Sequence, residues 1–208
     1  MKITKFVHSC LLVEEAGKTF LFDPGNYSVE EGTLKVESIQ SLDYLLITHE
    51  HQDHMFTPFI KQLVEKFPGV KIISNQAVAD ILKMDEIQVS TGEDELIQLE
   101  AVPHEKIFMG PAPQNVKITV AEKLTHPGDS YTFGSTASVL ALPVQAPWGS
   151  TTQAVELVEK LKPQLIVPIH DWHWNDSARQ NMYQRLEEYF SKIGIKFIGL
   201  KTGEVVEI

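Results

Sequence analysis

The segment THEHQDH, residues 48–54, concentrates side chains that bind metal ions. It directly follows DYLLIT (43–48), a nearly continuous apolar run that predicts a strand buried on both faces. Ligands in a loop at the end of such a strand can converge on one point while the strand holds their base. Imidazole and carboxylate together suit zinc, manganese or iron. The spacing disfavours a solvated loop with idle histidines and predicts these metal ligands: His49, His51, Asp53 and His54.

Three further donor residues stand at predicted strand ends in the second half of the chain. His104 follows a predicted strand at 95–102, and His170 ends the apolar run LIVPIH. Asp129 lies in LTHPGDS, where Gly128 permits a close approach of the backbone to a ligand. A lone residue of this kind is more often a surface or turn residue. Their occurrence beside the first segment favours a shared metal site.

The elements that position these residues follow from the hydrophobic periodicity of the chain. Strands are predicted at 3–6, 9–14, 18–22, 43–48, 95–102, 116–120, 122–126, 137–142, 165–169, 195–199 and 204–207. Helices are predicted at 57–67, 75–84, 151–161 and 176–193. Two successive strand-rich, helix-bearing halves indicate an α/β (α+β) protein with two packed sheets and helices on their outer faces.

Composition narrows the classes of function. The 208 residues are 43% hydrophobic, enough to fold without disulfides, and the single Cys10 points to a reducing compartment. The net charge of −10 and the presence of only two arginines, Arg179 and Arg185, oppose nucleic acid and anionic membranes as partners. No apolar stretch has the length of a signal peptide or a membrane span. We expect a cytoplasmic protein with a small-molecule substrate. Whether it forms a homo-oligomer is left open by the sequence.

The motifs resemble those of the metallo-β-lactamase superfamily. ITHEHQDHM resembles its HxHxDH signature, and VPHE, THPGDS and VPIHD follow in the order of its remaining ligands. The opening FVHSCLLVEEAGKTFLFDPG resembles its first strands, so the resemblance spans nearly the whole chain. It is greatest to the compact branch that contains ascorbate-6-phosphate lactonase. The resemblance implies a four-layer αββα sandwich, the metallo-β-lactamase fold, as a single domain over residues 1–208.

The resemblance also implies a set of ligands for two divalent metal ions, with zinc favoured and manganese or iron as alternatives. His49, His51 and His104 would bind one ion. Asp53, His54 and His170 would bind the other, with Asp129 bridging the two. Two ions about 3.5–4 Å apart lower the pKa of a water molecule from about 15.7 towards 7. Asp53 is the predicted catalytic residue, orienting that nucleophile and passing a proton to the leaving group.

Other residues carry weaker signals for a role near the metals or in a pocket. Asp23 could accept a hydrogen bond from a ligand histidine, although Asp-Pro-Gly is also simple turn chemistry. Each histidine among the candidates named below either supports the metal site or is simply packed or exposed. The loop 108–113 is predicted to close over the site. The candidates for supporting or pocket roles are His8, Asp23, His126, Gln145, Trp148 and His173.

The leading function is hydrolysis of a small ester, lactone, amide or phosphate ester by a metal-dependent enzyme. Iron-dependent oxygen or sulfur chemistry is the alternative, and a nuclease or phosphodiesterase fits less well because the chain is acidic. The segment LPVQAPWGS departs from the lactonase pattern, which carries a glycine and an acidic residue there. The implied metal site survives this departure, but the lactonase substrate does not transfer.

Overall fold

Two six-stranded mixed sheets lie face to face in the computed structural model, which describes residues 1–108 and 110–208. The first sheet has the order β12-β1-β2-β3-β4-β5 and the second has the order β11-β10-β9-β8-β7-β6. The strands are β1 Lys2–Lys5, β2 Leu11–Glu15, β3 Lys18–Phe22, β4 Tyr44–Leu46, β5 Lys71–Ile73, β6 Ile97–Pro103, β7 Gln114–Val120, β8 Leu124–His126, β9 Val139–Pro143, β10 Leu165–Ile169, β11 Lys196–Phe197 and β12 Val205–Glu207.

Helices cover the outer faces of both sheets. They are α1 Asn26–Glu30, α2 Thr57–Lys66, α3 Gln76–Lys83, α4 Thr151–Leu161 and α5 Asp176–Lys192, with a 3-10 turn at Val36–Ser38. Asn75 caps α3 by accepting the backbone N–H of Val78, and Ser150 begins α4 with a capping box. Within the described ranges, no helix is long and apolar enough to cross a membrane.

Alternation along the strands separates three hydrophobic cores. In β3, Phe20 and Phe22 face the central core between the sheets, while Leu21 faces α2 and α3. In β9, Val139 and Ala141 join the same central core, while Leu140 and Leu142 pack against α4 and α5. Because side chains alternate between the faces of a strand, strands buried on both sides read as continuous apolar runs. The expected helix–sheet–sheet–helix layering is therefore present.

The structure corrects several details of the sequence-based prediction. The short strand β5 and the short helix α1 were not predicted. The strand expected at 122–126 begins only at Leu124, because Ala121 and Glu122 form a turn with φ angles of 51° and 55°. The C-terminal strand β12 pairs antiparallel with β1 and completes the first sheet.

A buried ion pair joins strand β1 of the first sheet to the segment that follows strand β10 of the second sheet. The Lys5 ammonium on β1 lies 3.1 Å from both carboxylate oxygens of Asp171, and both side chains are 2% exposed. Tyr183 donates a hydrogen bond to the same carboxylate at 2.5 Å, and Arg179 Nε lies 3.0 Å from it. Although burial alone would raise the pKa of Asp171, these three groups lower it below its ordinary value. The carboxylate is therefore ionised at neutral pH.

Replacing Lys5 with Met should destabilise the fold, because it leaves the buried Asp171 charge less well compensated. We expect a loss of about 3 kcal/mol in the free energy of unfolding, the lower end for a broken buried pair, since Arg179 and Tyr183 remain. Urea denaturation at pH 7 measures it. The loss should shrink as the pH falls and Asp171 becomes protonated in the folded variant, and it should be smallest below the lowered pKa of Asp171 in the unmodified protein.

The matched control is Lys2→Met on the same strand, where the lysine side chain is 40% exposed and pairs with Glu14 at the surface. Its unfolding midpoint should stay close to that of the unmodified protein. Equal losses in the two variants would show that the Lys5–Asp171 pair has no special role.

Candidate metal centre

The predicted metal-binding residues converge where strands of both sheets end. The segment 48–54 follows β4 of the first sheet. In the second sheet, His104 follows β6, Asp129 lies three residues beyond β8, and His170 follows β10. The loops at this edge therefore bring together residues that are far apart in the sequence.

One group of potential ligand atoms contains His49, His51, His104 and Asp129, and these atoms all lie within 4.8 Å of one another. His49 Nε2 and His51 Nδ1 are 3.1 Å apart. His104 Nε2 lies 3.3 Å from Asp129 Oδ2. This group contains the predicted ligands of the first ion together with the predicted bridging carboxylate.

A second group contains His8, Asp53, His54 and His170, again within 4.8 Å of one another. Asp129 also adjoins this group, because its Oδ1 lies 3.1 Å from His54 Nε2 and 3.3 Å from His170 Nε2. The Asp129 carboxylate thus lies between the two groups, with one oxygen toward each. The structure brings all seven predicted ligands together and adds His8 to them.

Several buried ring nitrogens at this point have no hydrogen-bond partner in the described structure. They include Nε2 of His54, His104 and His170. Each lies near a carboxylate oxygen of Asp129 but without hydrogen-bond geometry. An unsatisfied buried polar atom costs about 1–3 kcal/mol, so several in one place require an explanation. Nitrogen and oxygen donors converging on common points fit divalent metal ions.

The opposite nitrogen of each ring is held by a hydrogen bond. His54 Nδ1 donates to Asp23 Oδ2 at 2.7 Å, and His49 Nδ1 lies 3.1 Å from the Thr48 hydroxyl. His104 Nδ1 donates to the carbonyl of Glu105 at 2.6 Å, and His170 Nδ1 donates to that of Gln145 at 2.8 Å. These bonds select the tautomer whose Nε2 lone pair points inward.

Asp23 lies at the base of this arrangement. It is fully buried, and its Oδ1 accepts the backbone N–H of Thr48 at 2.8 Å. Its Oδ2 accepts the Thr48 hydroxyl at 2.7 Å as well as the His54 ring. Thr48, which sequence analysis did not single out, therefore links Asp23 to the adjoining His49. Its only sequence signal was its place between the buried strand and the histidines.

The remaining candidates lie around the two groups. The Trp148 indole N–H donates to Asp129 Oδ2 at 2.7 Å, and Gln145 takes part through its backbone carbonyl. His126 is buried beneath the site, where it donates to Ser9 O and accepts from Gly128 N. His173 is exposed at the rim, with its ring centroid 6.4 Å from that of His170.

Burial and neighbouring charges set the protonation of the donors. Burial lowers the pKa of His49 well below its ordinary value and lowers that of His51, so both rings are neutral at pH 7. Burial alone would raise the pKa of Asp129, but the imidazoles of His170, His54 and His49 hold it well below its usual range. Burial alone would lower the pKa of His54, but the carboxylates of Asp129 and Asp23 raise it well above its ordinary value, so a metal ion at His54 would have to displace a proton. The site therefore offers neutral rings at His49 and His51 beside an ionised carboxylate.

The backbone takes uncommon conformations at three residues of the site. His8, Asp23 and His170 have φ angles of 64°, 42° and 61°, in the left-handed region. Such conformations persist in non-glycine residues only where the surrounding structure enforces them, and they cluster at functional sites. The loop expected to close over the site has Phe108 84% exposed, while Met109 lies outside the described residues. Closure by this loop stays a prediction.

Two glycines allow the loops to approach each other. A Cβ on Gly25 would lie 1.8 Å from the backbone oxygen of Asp53, so only glycine fits beneath that loop. Gly128 has a φ angle of 59°, and a Cβ there would lie 2.1 Å from Asn115 Oδ1. The close approach expected at Gly128 is therefore to Asn115 and Thr48, rather than to a ligand.

Comparison with known proteins shows which family the chain resembles. The sequence pattern of the Beta-lactamase superfamily domain matches residues 2–170. Protein Rv0786c of Mycobacterium tuberculosis is 34% identical over 204 residues, which cover 90% of this chain and 92% of that protein. A UPF0173 metal-dependent hydrolase of Aeropyrum pernix is 26% identical over 204 residues, covering 81% of each chain.

A solved structure shares the fold. Igni18, a metallo hydrolase from the hyperthermophilic archaeon Ignicoccus hospitalis, superposes with a TM-score of 0.73 at 22% identity, covering 99% of this chain and 97% of that one. At this identity the likeness concerns the arrangement of sheets and helices.

Replacing Asp23 with Asn should weaken metal binding at His54 on the order of 10–100-fold, because the His54 ring loses its carboxylate partner. Competition with a chromophoric chelator measures the affinity. Asp43→Asn is the matched control, since Asp43 accepts the backbone N–H of Thr19 near the opposite end of β3 and β4. An unchanged metal affinity in the Asp23 variant would show that Asp23 has only a turn-forming role.

Replacing Gly25 with Ala should displace the segment that carries Asp53. We expect a destabilisation of about 1–3 kcal/mol, as for other overpacked positions, together with weaker binding of a metal ion. Gly69→Ala is the control, because a Cβ there meets nothing within 4 Å. Thermal unfolding and metal titration of both variants test this, and similar behaviour of the two would contradict it.

Proposed function

We propose that this protein, which belongs to the Beta-lactamase superfamily and has its αββα fold, is a metal-dependent hydrolase that binds two divalent ions. The name of the Aeropyrum pernix relative supports the class of enzyme. The seven residues predicted from the sequence, together with their placement here, support a dinuclear site. Zinc is the favoured metal, and manganese or iron accepts the same donors.

One observation carries the proposal. The buried Asp129 carboxylate lies between two groups of potential ligands, with one oxygen toward each group. A carboxylate in that position suits a bridge between two ions. We assign His49, His51 and His104 to one ion, Asp53, His54 and His170 to the other, and Asp129 to both.

Two ions held by these residues would lower the pKa of a water molecule and would polarise an acyl or phosphoryl oxygen of a substrate. The residues of the chain supply the rest. Asp53 is the donor with a 25% exposed side chain, so it can face both an incoming substrate and the attacking water. We assign to Asp53 the orientation of that water and the transfer of a proton to the leaving group.

Trp148 marks the substrate side of Asp129. Its indole N–H holds one oxygen of Asp129, and its ring lies 5.0 Å from that of His170 and 5.2 Å from that of Tyr131 between centroids. This half-buried aromatic surface supports a small organic substrate, with an ester, lactone, amide or phosphate-ester bond beside the metals. The acidic composition supports the absence of nucleic acid and anionic membrane among the partners, and the single cysteine supports a place in the reducing cytoplasm.

Elemental analysis of the natively purified protein tests the proposal first. About two zinc or manganese ions per chain are expected, and removing them with a chelator should abolish hydrolysis of whichever lactone, ester, amide or phosphodiester proves to be a substrate. Asp129→Asn should lose both ions, because it weakens the shared ligand. Asp94→Asn, which removes a surface partner of Lys71, should keep them.

Other results would redirect the proposal. A single iron per chain would favour oxygen or sulfur chemistry instead of hydrolysis. Failure to bind zinc, manganese or iron after reconstitution would contradict the dinuclear site altogether. Two ions with no hydrolysis across the substrate panel would leave the metal centre standing and oppose the tested substrate classes.

A further inference from the structure

We propose that His8 is itself a ligand of the metal ion assigned to Asp53, His54 and His170, adding an eighth donor side chain to the site. This inference rests on the proposed metal centre. Sequence analysis left His8 between a pocket residue and a packed histidine, because a single histidine after the first strand has no spacing pattern to interpret. The surroundings of the His8 ring in the structure distinguish between these roles.

The His8 ring is buried among donors and unsatisfied. The residue is 1% exposed, and neither ring nitrogen has a hydrogen-bond partner in the described structure. A packed neutral histidine normally donates with one nitrogen, since an unmade bond to a buried polar atom costs about 1–3 kcal/mol. His126 shows the satisfied alternative in the same protein, with one ring nitrogen donating to Ser9 and the other accepting from Gly128.

At Nε2 the ring has the same geometric signature as the assigned ligands, although its Nδ1 lacks the hydrogen bond that theirs make. His8 Nε2 lies 3.1 Å from Asp53 Oδ2, yet without the angles of a hydrogen bond. His54 Nε2 and His170 Nε2 stand in the same relation to Asp129 Oδ1, at 3.1 and 3.3 Å. Two atoms that bind one ion at about 2.0–2.2 Å lie roughly 3–3.5 Å apart without pointing at each other. The contact therefore fits neighbouring ligands better than a hydrogen-bonded pair.

The backbone fixes His8 relative to His170. The His8 carbonyl accepts the His170 N–H at 3.1 Å, and both residues have positive φ angles. Their ring centroids are 3.8 Å apart. This backbone hydrogen bond and the strained backbone of both residues hold the two rings toward the same point. A residue that only packs in the wall of a pocket does not need such strain.

The experiment compares metal binding by the full chain with that of His8→Asn, since asparagine tolerates a positive φ angle. A second variant, His8→Phe, keeps the bulk of the ring without its nitrogens. The control is His173→Phe, because His173 lies at the rim with its ring centroid 6.3 Å from that of His8. Metal content by elemental analysis, cobalt(II) affinity and the cobalt(II) absorption spectrum are the readouts.

We expect the unmodified protein and the His173 variant to bind two ions with the same cobalt spectrum. Both His8 variants should retain one ion tightly and bind the second on the order of 100-fold more weakly or not at all, a loss at least as large as that from removing a residue that supports a ligand. The spectrum of the second cobalt should also change its intensity, because the number of donors changes. Circular dichroism of the metal-free proteins verifies that each variant folds.

Each other outcome is decisive. Two ions of unchanged affinity and an unchanged spectrum in the His8 variants would overturn the assignment of His8 and leave the metal centre intact. Absence of metal from the unmodified protein would overturn the proposed function itself. If neither variant folds, paramagnetic NMR of the cobalt-loaded unmodified protein decides, since a ligand His8 must contribute its own strongly shifted ring resonances at the second ion.

Discussion

The buried carboxylate of Asp129 is the interaction on which the arrangement of the site depends. It is 2% exposed, and an isolated charge at that depth would cost several kcal/mol. Its compensation comes from the indole N–H of Trp148, after a strand of the second sheet, and from the His54 ring, after a strand of the first, whose pKa the Asp129 and Asp23 carboxylates raise. Because these partners stand on strand ends of both sheets, the two sheets must pack in one relative position for the charge to be stabilised.

A second carboxylate, that of Asp23, fixes the backbone beneath this arrangement. Asp23 holds the backbone and hydroxyl of Thr48 together with the His54 ring, so the end of β4 and the ligand loop cannot move independently. The approach of Asp53 to Gly25 seats the same loop from its other side. The positive φ angles at His8, Asp23 and His170 are the local cost of this convergence. The strands thus fix where the donor residues lie, and the loop conformations set the directions of their side chains.

The longer helices were predicted from the sequence by their periodicity, whereas two short elements, β5 and α1, were not predicted. The confirmed helices α2, α4 and α5 each extend over ten residues or more, enough for an apolar stripe to recur. The strand β5 has only three residues and the helix α1 only five, which are too few to show a period. Pairing with β4 makes β5 a strand, and pairing with β1 places the distant β12 in the first sheet.

The sequence by itself determined the types of donor, their positions after apolar strands and the layered class of the fold, because these depend on local spacing and periodicity. It did not determine which ring nitrogen faces inward, since that follows from partners such as Asp23 and the carbonyl of Gln145, which lie far away in the chain. Nor did it separate His8 from His126, two single histidines with no local pattern. Only the packed sheets decide that one ring is satisfied by hydrogen bonds while the other lies unsatisfied among the donors.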